Sequence, residues 1–299
     1  MSTIGNDDTA ELAITAEPTA KFFGEETPAV RVQFGGASHP GLVRPNNEDH
    51  FAVVRRYRSR EVLLTNMPPD AYPHYQDSVY AFAVADGVGG AAFGEVASEL
   101  ALRTGWELTG KAFKWGFNLS ESETKELLEG VNLYIQLIHQ RIQAEAKHGS
   151  KGMGTTLTGA LTIGWDAFVV HVGDSRAYLH RGVELHRLTH DQTLAELMVK
   201  AGMISSVDHA AQRFRNTLIS CLGGNHAEVD VETRHLILKD GDQLLLCTDG
   251  LTDMIDEVRI AEILNRAHSP QALCDALIQS ALDGGGHDNV TVVLGRYAL

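Results

Sequence analysis

Short apolar runs bounded by glycines and acidic residues recur along most of this 299-residue chain. Many of their apolar positions are β-branched, and the runs are too short for most helices, so they predict buried strands. Turn-sized gaps separate the central runs, which favours antiparallel pairing. The predicted strands are FAVV (51–54), VYAFAVA (79–85), TTLTGALTIG (155–164), AFVVHVG (167–173), AYLHRG (177–182), QLLLCTDG (243–250) and NVTVVLGRY (289–297).

Helical periodicity is clearest between residues 120 and 149, where Ser120 and Glu123 match a capping box ahead of an apolar stripe. The stripe consists of Leu127, Val131, Tyr134, Ile138 and Ile142. Further helices are predicted at 91–108, 193–202, 257–267 and 270–282. Helices alternating with antiparallel strands indicate the α+β class.

The N-terminal part of the chain differs in composition from the rest. Residues 1–28 contain six acidic side chains, one lysine and few large apolar residues, which predicts a disordered acidic tail. Residues 29–299 are expected to form one domain. Within it, the polar, proline-containing stretch 55–77 predicts a hairpin extension or a long loop between two strands.

Composition and charge exclude several classes of protein. No apolar stretch approaches the roughly 18 residues of a membrane span, and acids stand where a targeting peptide has basic residues, so we expect a cytoplasmic location. The net charge of −14 argues against a nucleic-acid partner. The three cysteines, Cys221, Cys247 and Cys274, lie far apart and are expected to be buried and unpaired.

Acidic residues flank the apolar runs repeatedly. Any one of them could be an ordinary turn or capping residue. As a set they are better explained by strands that deliver carboxylates to one place, where mutual repulsion raises each pKa and a cation is needed. These residues are Glu48, Asp49, Asp86, Asp174, Asp249, Asp253 and Asp288.

Oxygen ligands select hard cations such as Mg²⁺ or Mn²⁺ over zinc, which favours histidine and cysteine. Zinc motifs are missing: there is no HExxH, and His186 and His190 flank RLT in a predicted loop. The sequence therefore predicts a Mg²⁺ or Mn²⁺ site.

Six motifs, in this order, resemble the metal-dependent PP2C-type (PPM family) protein serine/threonine phosphatases. The resemblance extends from about Gly35 to the C-terminus, and the DGVGG form is most similar to the bacterial branch. It implies a four-layer αββα sandwich in which helices flank two central antiparallel β-sheets. The motifs are RPNNED (44–49), ADGVGG (85–90), GMGTTL (152–157), GDSRAYL (173–179), TDGLTD (248–253) and GHDNVTVV (286–293).

The resemblance also implies residue roles. Asp86 would bridge two metal ions, the Gly87 carbonyl would bind one of them, and Arg44 would hold the substrate phosphate together with Asn289. Asp249 would serve both the central pair and a third, weaker site. The other implied ligands are Asp288 for the second ion, Glu48 and Asp49 directly or through water, and Asp174 and Asp253 for the third ion.

The implied reaction is hydrolysis of phosphoserine or phosphothreonine by a metal-activated water, with Arg44, Asp86 and Asp249 as the central groups. Val88 occupies the position where eukaryotic members often carry a histidine that is proposed as general acid. The implied partners are phosphoproteins made by a cognate kinase, and the protein is expected to be a monomer. The alternative is an inactive pseudophosphatase that binds phosphoproteins, although such proteins usually lose metal acids.

Two stretches of the sequence are weak matches to nucleotide-binding motifs. Gly87, Gly89 and Ala92 match a relaxed dinucleotide fingerprint, but Asp86 would repel a pyrophosphate and the following strands predict an antiparallel hairpin. The stretch GWELTGKA (105–112) resembles a P-loop but has Ala112 where the Mg²⁺-binding Ser/Thr is required. Neither predicts nucleotide binding.

Overall fold

The structure is a computed structural model that describes residues 30–59, 61–68, 76–88, 93–112, 121–146, 152–205 and 209–299. The predicted acidic tail (1–28) and the predicted cap at Ser120 lie outside these residues. No helix in the described ranges is long and apolar enough to cross a membrane.

In the described ranges, thirteen strands form two five-stranded sheets and one small sheet, and every pairing among them is antiparallel. The strands are β1 Arg31–His39, β2 His50–Ser59, β3 Gln76–Ala85, β4 Gly87–Val88, β5 Gly154–Thr155, β6 Leu157–Ile163, β7 Asp166–Val172, β8 Arg176–Arg181, β9 Glu184–Arg187, β10 Leu222–Gly223, β11 Glu232–Ile237, β12 Gln243–Cys247 and β13 Val290–Ala298. The first sheet has the order β1-β13-β12-β8-β9, the second β11-β7-β6-β3-β2, and the small sheet β10-β5-β4.

The described residues form seven helices. They are α1 Phe93–Ala112, α2 Glu121–Ala146, α3 Leu194–Lys200, α4 His209–Phe214, α5 Asp249–Thr252, α6 Glu257–Leu264 and α7 Pro270–Asp283. Helix α7 packs on β1 and β13 of the first sheet, and α1 packs on β2 and β3 of the second. The predicted α+β sandwich of four layers is confirmed.

Strand β12 contributes side chains to two hydrophobic clusters, one on each face of the first sheet. Leu245 and Cys247 join the cluster under α6 and α7, whereas Leu244 and Leu246 face the second sheet. Successive side chains of a strand point to opposite faces, so a strand buried on both sides reads as an uninterrupted apolar run. A third cluster lies between the second sheet and α1 and α2.

The seven predicted strands and the predicted helices are present, with shifts of a few residues at their ends. Strands β2 and β3 pair out to Ser59 and Gln76, so the 55–77 stretch begins and ends as an extended hairpin. The antiparallel neighbours of β3 rule out the parallel unit of a dinucleotide-binding fold. GWELTGKA belongs to α1 and does not form a phosphate-binding loop.

The pattern did not predict β1, whose glycines and serine interrupt its apolar residues, or the short elements β9, β10, β11, α4 and α5. Cys247 and Cys274 are buried and unpaired as expected, and Cys221 is half-buried.

Candidate active site

Antiparallel register brings the motif acids to one edge of the sandwich. The start of β2 faces the end of β3, with His50 opposite Ala85, which places Asp49 near Asp86. In the first sheet the end of β12 faces the start of β8, with Cys247 opposite Arg176. Strand ends that alternate in direction therefore deliver acids from both sheets to the same place.

The carboxylates that meet at this edge lie close enough to influence one another. The charges of four of them raise the pKa of Asp86, and the charge of Asp253 raises the pKa values of Asp174 and Asp249. The four neighbours of Asp86 are Asp49, Asp249, Asp174 and Asp288. The structure thus brings the predicted acids together.

Burial and mutual repulsion raise the pKa values of these acids. Burial raises the pKa of Asp49 to about 7 and that of Asp249 to about 6, with Asp288 adding to both increases. The pKa of Asp86 lies well above its usual range, first because of burial and then because of its acidic neighbours. Part of the Asp86 surface reaches solvent, but the surrounding protein still desolvates its carboxyl group.

Two carboxylate oxygens at the centre of the site are buried without a hydrogen-bond partner: Asp49 Oδ1 and Asp249 Oδ1. The second oxygen of Asp49 accepts a hydrogen bond from Thr248 Oγ1 at 2.8 Å. A buried, unpaired carboxylate oxygen is costly, and a divalent cation satisfies it directly. The donor set therefore fits Mg²⁺ or Mn²⁺.

The fit rests on donor chemistry rather than on preformed coordination. Within the described ranges, no group of three or more acidic, histidine or cysteine side chains is already arranged to hold one ion.

The loop from Gly41 to Glu48 carries Arg44, which is predicted to bind the substrate phosphate. Arg44 is 56% exposed at its side chain, and its Nη2 donates to Asp288 Oδ2 at 2.7 Å. This contact places a cationic, solvent-accessible group at the rim of the acidic cluster. The pairing also raises the pKa of Arg44, which stays charged.

Asn289 has a different role from the predicted phosphate contact. Its Oδ1 accepts from the Glu48 amide at 2.8 Å, and its Nδ2 donates to the carbonyls of Pro40 and Asn46. With both amide protons used and only 6% exposure, Asn289 has no donor left for a phosphate. It holds the loop that carries Arg44 and Glu48.

Gly87, the predicted carbonyl ligand, lies where no other residue fits. A Cβ there would lie 2.3 Å from the Gly94 carbonyl and 2.8 Å from the Glu48 carbonyl oxygen. A Cβ at Gly94 would lie 2.0 Å from Glu48 Oε2. The two glycines allow the start of α1, the Asp86 loop and Glu48 to pack against each other.

Asp253, predicted to bind a third ion, is paired with an arginine that the sequence patterns did not single out. Arg215 Nη2 lies 2.9 Å from Asp253 Oδ2. Burial raises the pKa of Asp253, and Arg215 counteracts that increase. The segment between α4 and β10 therefore contacts the acidic cluster at Asp253.

Comparisons with known proteins agree with this fold and site. The family model described as "Protein phosphatase 2C" matches residues 69–279. The chain is 33% identical over 256 residues to the serine/threonine phosphatase stp of Listeria welshimeri, covering 85% of this chain and 91% of that protein. The chain belongs to the protein phosphatase 2C family.

Solved structures show the same similarity. The Mycobacterium tuberculosis serine/threonine phosphatase PstP/Ppp superposes with a TM-score of 0.72 at 32% identity, over 91% of this chain and 100% of that one. The PstP catalytic domain in complex with two manganese ions has a TM-score of 0.68 at 30% identity, with the same coverage. A relative with this fold therefore binds two manganese ions.

Proposed function

We propose that the protein is a metal-dependent phosphatase that hydrolyses phosphoserine and phosphothreonine in proteins. The observation that carries the proposal is that Asp49 and Asp249, at the centre of the acidic cluster, each have a buried oxygen without a partner, beside the exposed Arg44. The names of the relatives, which are serine/threonine phosphatases, support the same activity.

The proposed metal ligands are the acids of the cluster, with Asp86 at the centre because four other carboxylates act on it. Asp249 and Asp288 complete the central site, and Glu48 and Asp49 contribute directly or through water. When bound, two divalent cations would activate a water molecule and neutralise the charge of the phosphate. Asp174 and Asp253 are proposed for a third ion, which would compete with Arg215 for Asp253.

Arg44 is proposed to bind the phosphoryl oxygens of the substrate. Its planar guanidinium can donate to two oxygens at once, and Asp288 fixes it at the rim of the cluster. Because the side chain is exposed, a phosphorylated segment of another protein can reach it without opening the domain.

The pseudophosphatase alternative is not favoured, because all the acidic positions of the motifs are filled and the structure brings them together. We further propose that the ion is Mn²⁺ or Mg²⁺ and that a cognate kinase makes the phosphorylated substrates. We also propose that the protein is a monomer in the cytoplasm.

Phosphate release from a phosphothreonine peptide tests the proposal. We expect turnover with added Mn²⁺ and none after EDTA, since the proposed nucleophile is a water molecule that the metal activates. A phosphotyrosine peptide of the same sequence is the control and should be hydrolysed much more slowly. Full activity in chelated, metal-stripped protein would contradict the metal-dependent reaction.

A further inference from the structure

Two consecutive threonines hold the main chain of Asp86. The Asp86 carbonyl accepts from the Thr156 amide at 2.9 Å and from Thr155 Oγ1 at 2.7 Å. The Asp86 amide in turn donates to Thr156 Oγ1 at 3.0 Å. Both threonines are fully buried, so the position of Asp86 is set by Thr155 and Thr156 rather than by solvent.

The hydroxyl of Thr156 also reaches a second acid-bearing loop. It lies 2.8 Å from Ser175 Oγ, which is fully buried and follows Asp174 in the chain. Because Thr156 Oγ1 accepts from the Asp86 amide, its own single proton is free to be donated to Ser175. One hydroxyl group therefore links the loop of Asp86 with the loop of Asp174.

The methyl group of Thr156 packs where the Asp174 loop comes closest. A Cβ at Gly173 would lie 2.6 Å from Thr156 Cγ2, and Gly173 has a φ of 110°, a conformation that glycine adopts readily. Thr156 thus contacts the Asp174 loop through both its hydroxyl and its methyl group.

We infer that Thr156 is a positioning residue for the metal site, and that its hydroxyl fixes the spacing between the Asp86 and Asp174 carboxylates to suit divalent cations. The inference rests on the proposed function, since it concerns the same acids. Residues that orient metal ligands typically contribute about 10- to 100-fold to metal affinity or activity. Thr156 should therefore affect the binding of Mn²⁺ more than the rate at saturating Mn²⁺.

Substitutions at Thr156 can separate the hydroxyl from the methyl group. Thr156→Val keeps the shape and removes the hydroxyl, so we expect Mn²⁺ binding about 10- to 100-fold weaker by isothermal titration calorimetry of metal-free protein. Thr156→Ser keeps the hydroxyl and should bind Mn²⁺ nearly as wild type does. Thr162→Val is the matched control, because Thr162 is buried near the far end of β6, the strand that Thr156 immediately precedes.

Ser175→Ala provides a second variant, which leaves the hydrogen bond from the Asp86 amide to Thr156 Oγ1 in place. We expect a smaller loss of Mn²⁺ affinity than in Thr156→Val. The double variant should bind Mn²⁺ as tightly as Thr156→Val alone, since both substitutions remove the hydrogen bond between Thr156 and Ser175. Additive losses would overturn the link between the two loops.

The possible results are distinct. If wild-type protein binds no Mn²⁺, both the proposed function and this inference are wrong. If wild type binds Mn²⁺ and Thr156→Val binds it equally well, only the inference is wrong. Equal losses in Thr156→Val and Thr162→Val would also overturn it, because a general destabilisation would then explain both. The inference is supported if Thr156→Val loses Mn²⁺ affinity while Thr162→Val and Thr156→Ser keep it.

Discussion

Buried carboxylates occur in two different settings in this domain. At the end away from the proposed site, Asp242 is 1% exposed and accepts from Arg181 Nε at 2.9 Å, from Arg181 Nη2 at 2.6 Å and from the Lys239 amide at 2.8 Å. In the acidic cluster, Asp49 and Asp249 each keep a buried oxygen without any partner. The chain itself satisfies the carboxylate of Asp242, but it leaves one oxygen of Asp49 and one of Asp249 unsatisfied.

This difference distinguishes a structural acid, Asp242, from the acids that we propose to bind metal. An arginine fixed by the fold makes a buried carboxylate part of the structure, because charge and hydrogen bonds are both satisfied. Within the described part of the chain, none of Asp49, Asp86 and Asp249 forms an ion pair with a lysine or arginine. Acids that the fold leaves unpaired are neutralised either by a proton, as their raised pKa values indicate, or by a cation from solution.

The largest predicted effect is that of Asp86→Asn. The substitution keeps the shape but removes the charge that the two proposed cations share, so both water activation and phosphate neutralisation should fail. A loss of roughly 4 kcal/mol of transition-state stabilisation corresponds to about a thousandfold in kcat. Turnover of a phosphopeptide with Mn²⁺ measures it.

Folding should respond to Asp86→Asn in the opposite way. Removing one carboxylate from a repelling cluster should leave the metal-free protein as stable as wild type, or more stable. A variant that melts earlier in the absence of metal but turns over normally would make Asp86 an ordinary structural acid.

The stability of the metal-free protein should fall as pH rises from about 4 to about 7. Folding raises the pKa of Asp49 to about 7 and that of Asp249 to about 6, from 3.8. The folded state therefore binds more protons than the unfolded state in this range, and the extra stability is fully present below about pH 4 and is lost as the pH rises through about 6 and 7. Thermal melts in EDTA at a series of pH values measure the loss.

Saturating Mn²⁺ should reverse this trend, because cations bind the deprotonated ligands. A metal-free melting temperature that rises from pH 5 to pH 7 would show that the cluster is not the dominant titrating group.

The paired acid provides the contrast. Asp242→Asn should destabilise the domain by about 2 kcal/mol, since charge-assisted hydrogen bonds to Arg181 are lost. Turnover with Mn²⁺ should stay close to that of wild type, because Asp242 lies in the turn before β12, at the end of that strand opposite Asp249. Denaturant unfolding and phosphopeptide turnover test the two halves. A large loss of turnover without loss of stability would contradict the comparison.

The sequence predicted the acids better than their partners. Apolar runs that end in acids mark strand ends locally, so Asp86 and Asp249 could be found from the pattern and from the family resemblance. The contact of Arg44 with Asp288 joins residues 244 positions apart, and no local pattern encodes such a pair. The same holds for Arg215, and for Asn289, whose side chain turned out to hold the loop rather than to face the phosphate.

Asp253 lies between the two settings, because it belongs to the acidic edge but already has Arg215 as a partner at 2.9 Å. Asp253→Ala should therefore have the smallest effect on catalysis, a loss of about tenfold in activity. Binding of Mn²⁺ at the two proposed central sites should persist, since the acids proposed to hold those ions are unchanged. Calorimetry with Mn²⁺ separates the sites, and Arg215→Ala is the matched variant that frees Asp253 without removing it. If Asp253→Ala abolished both tight sites, Asp253 would belong with Asp86 in the centre of the cluster and not at its rim.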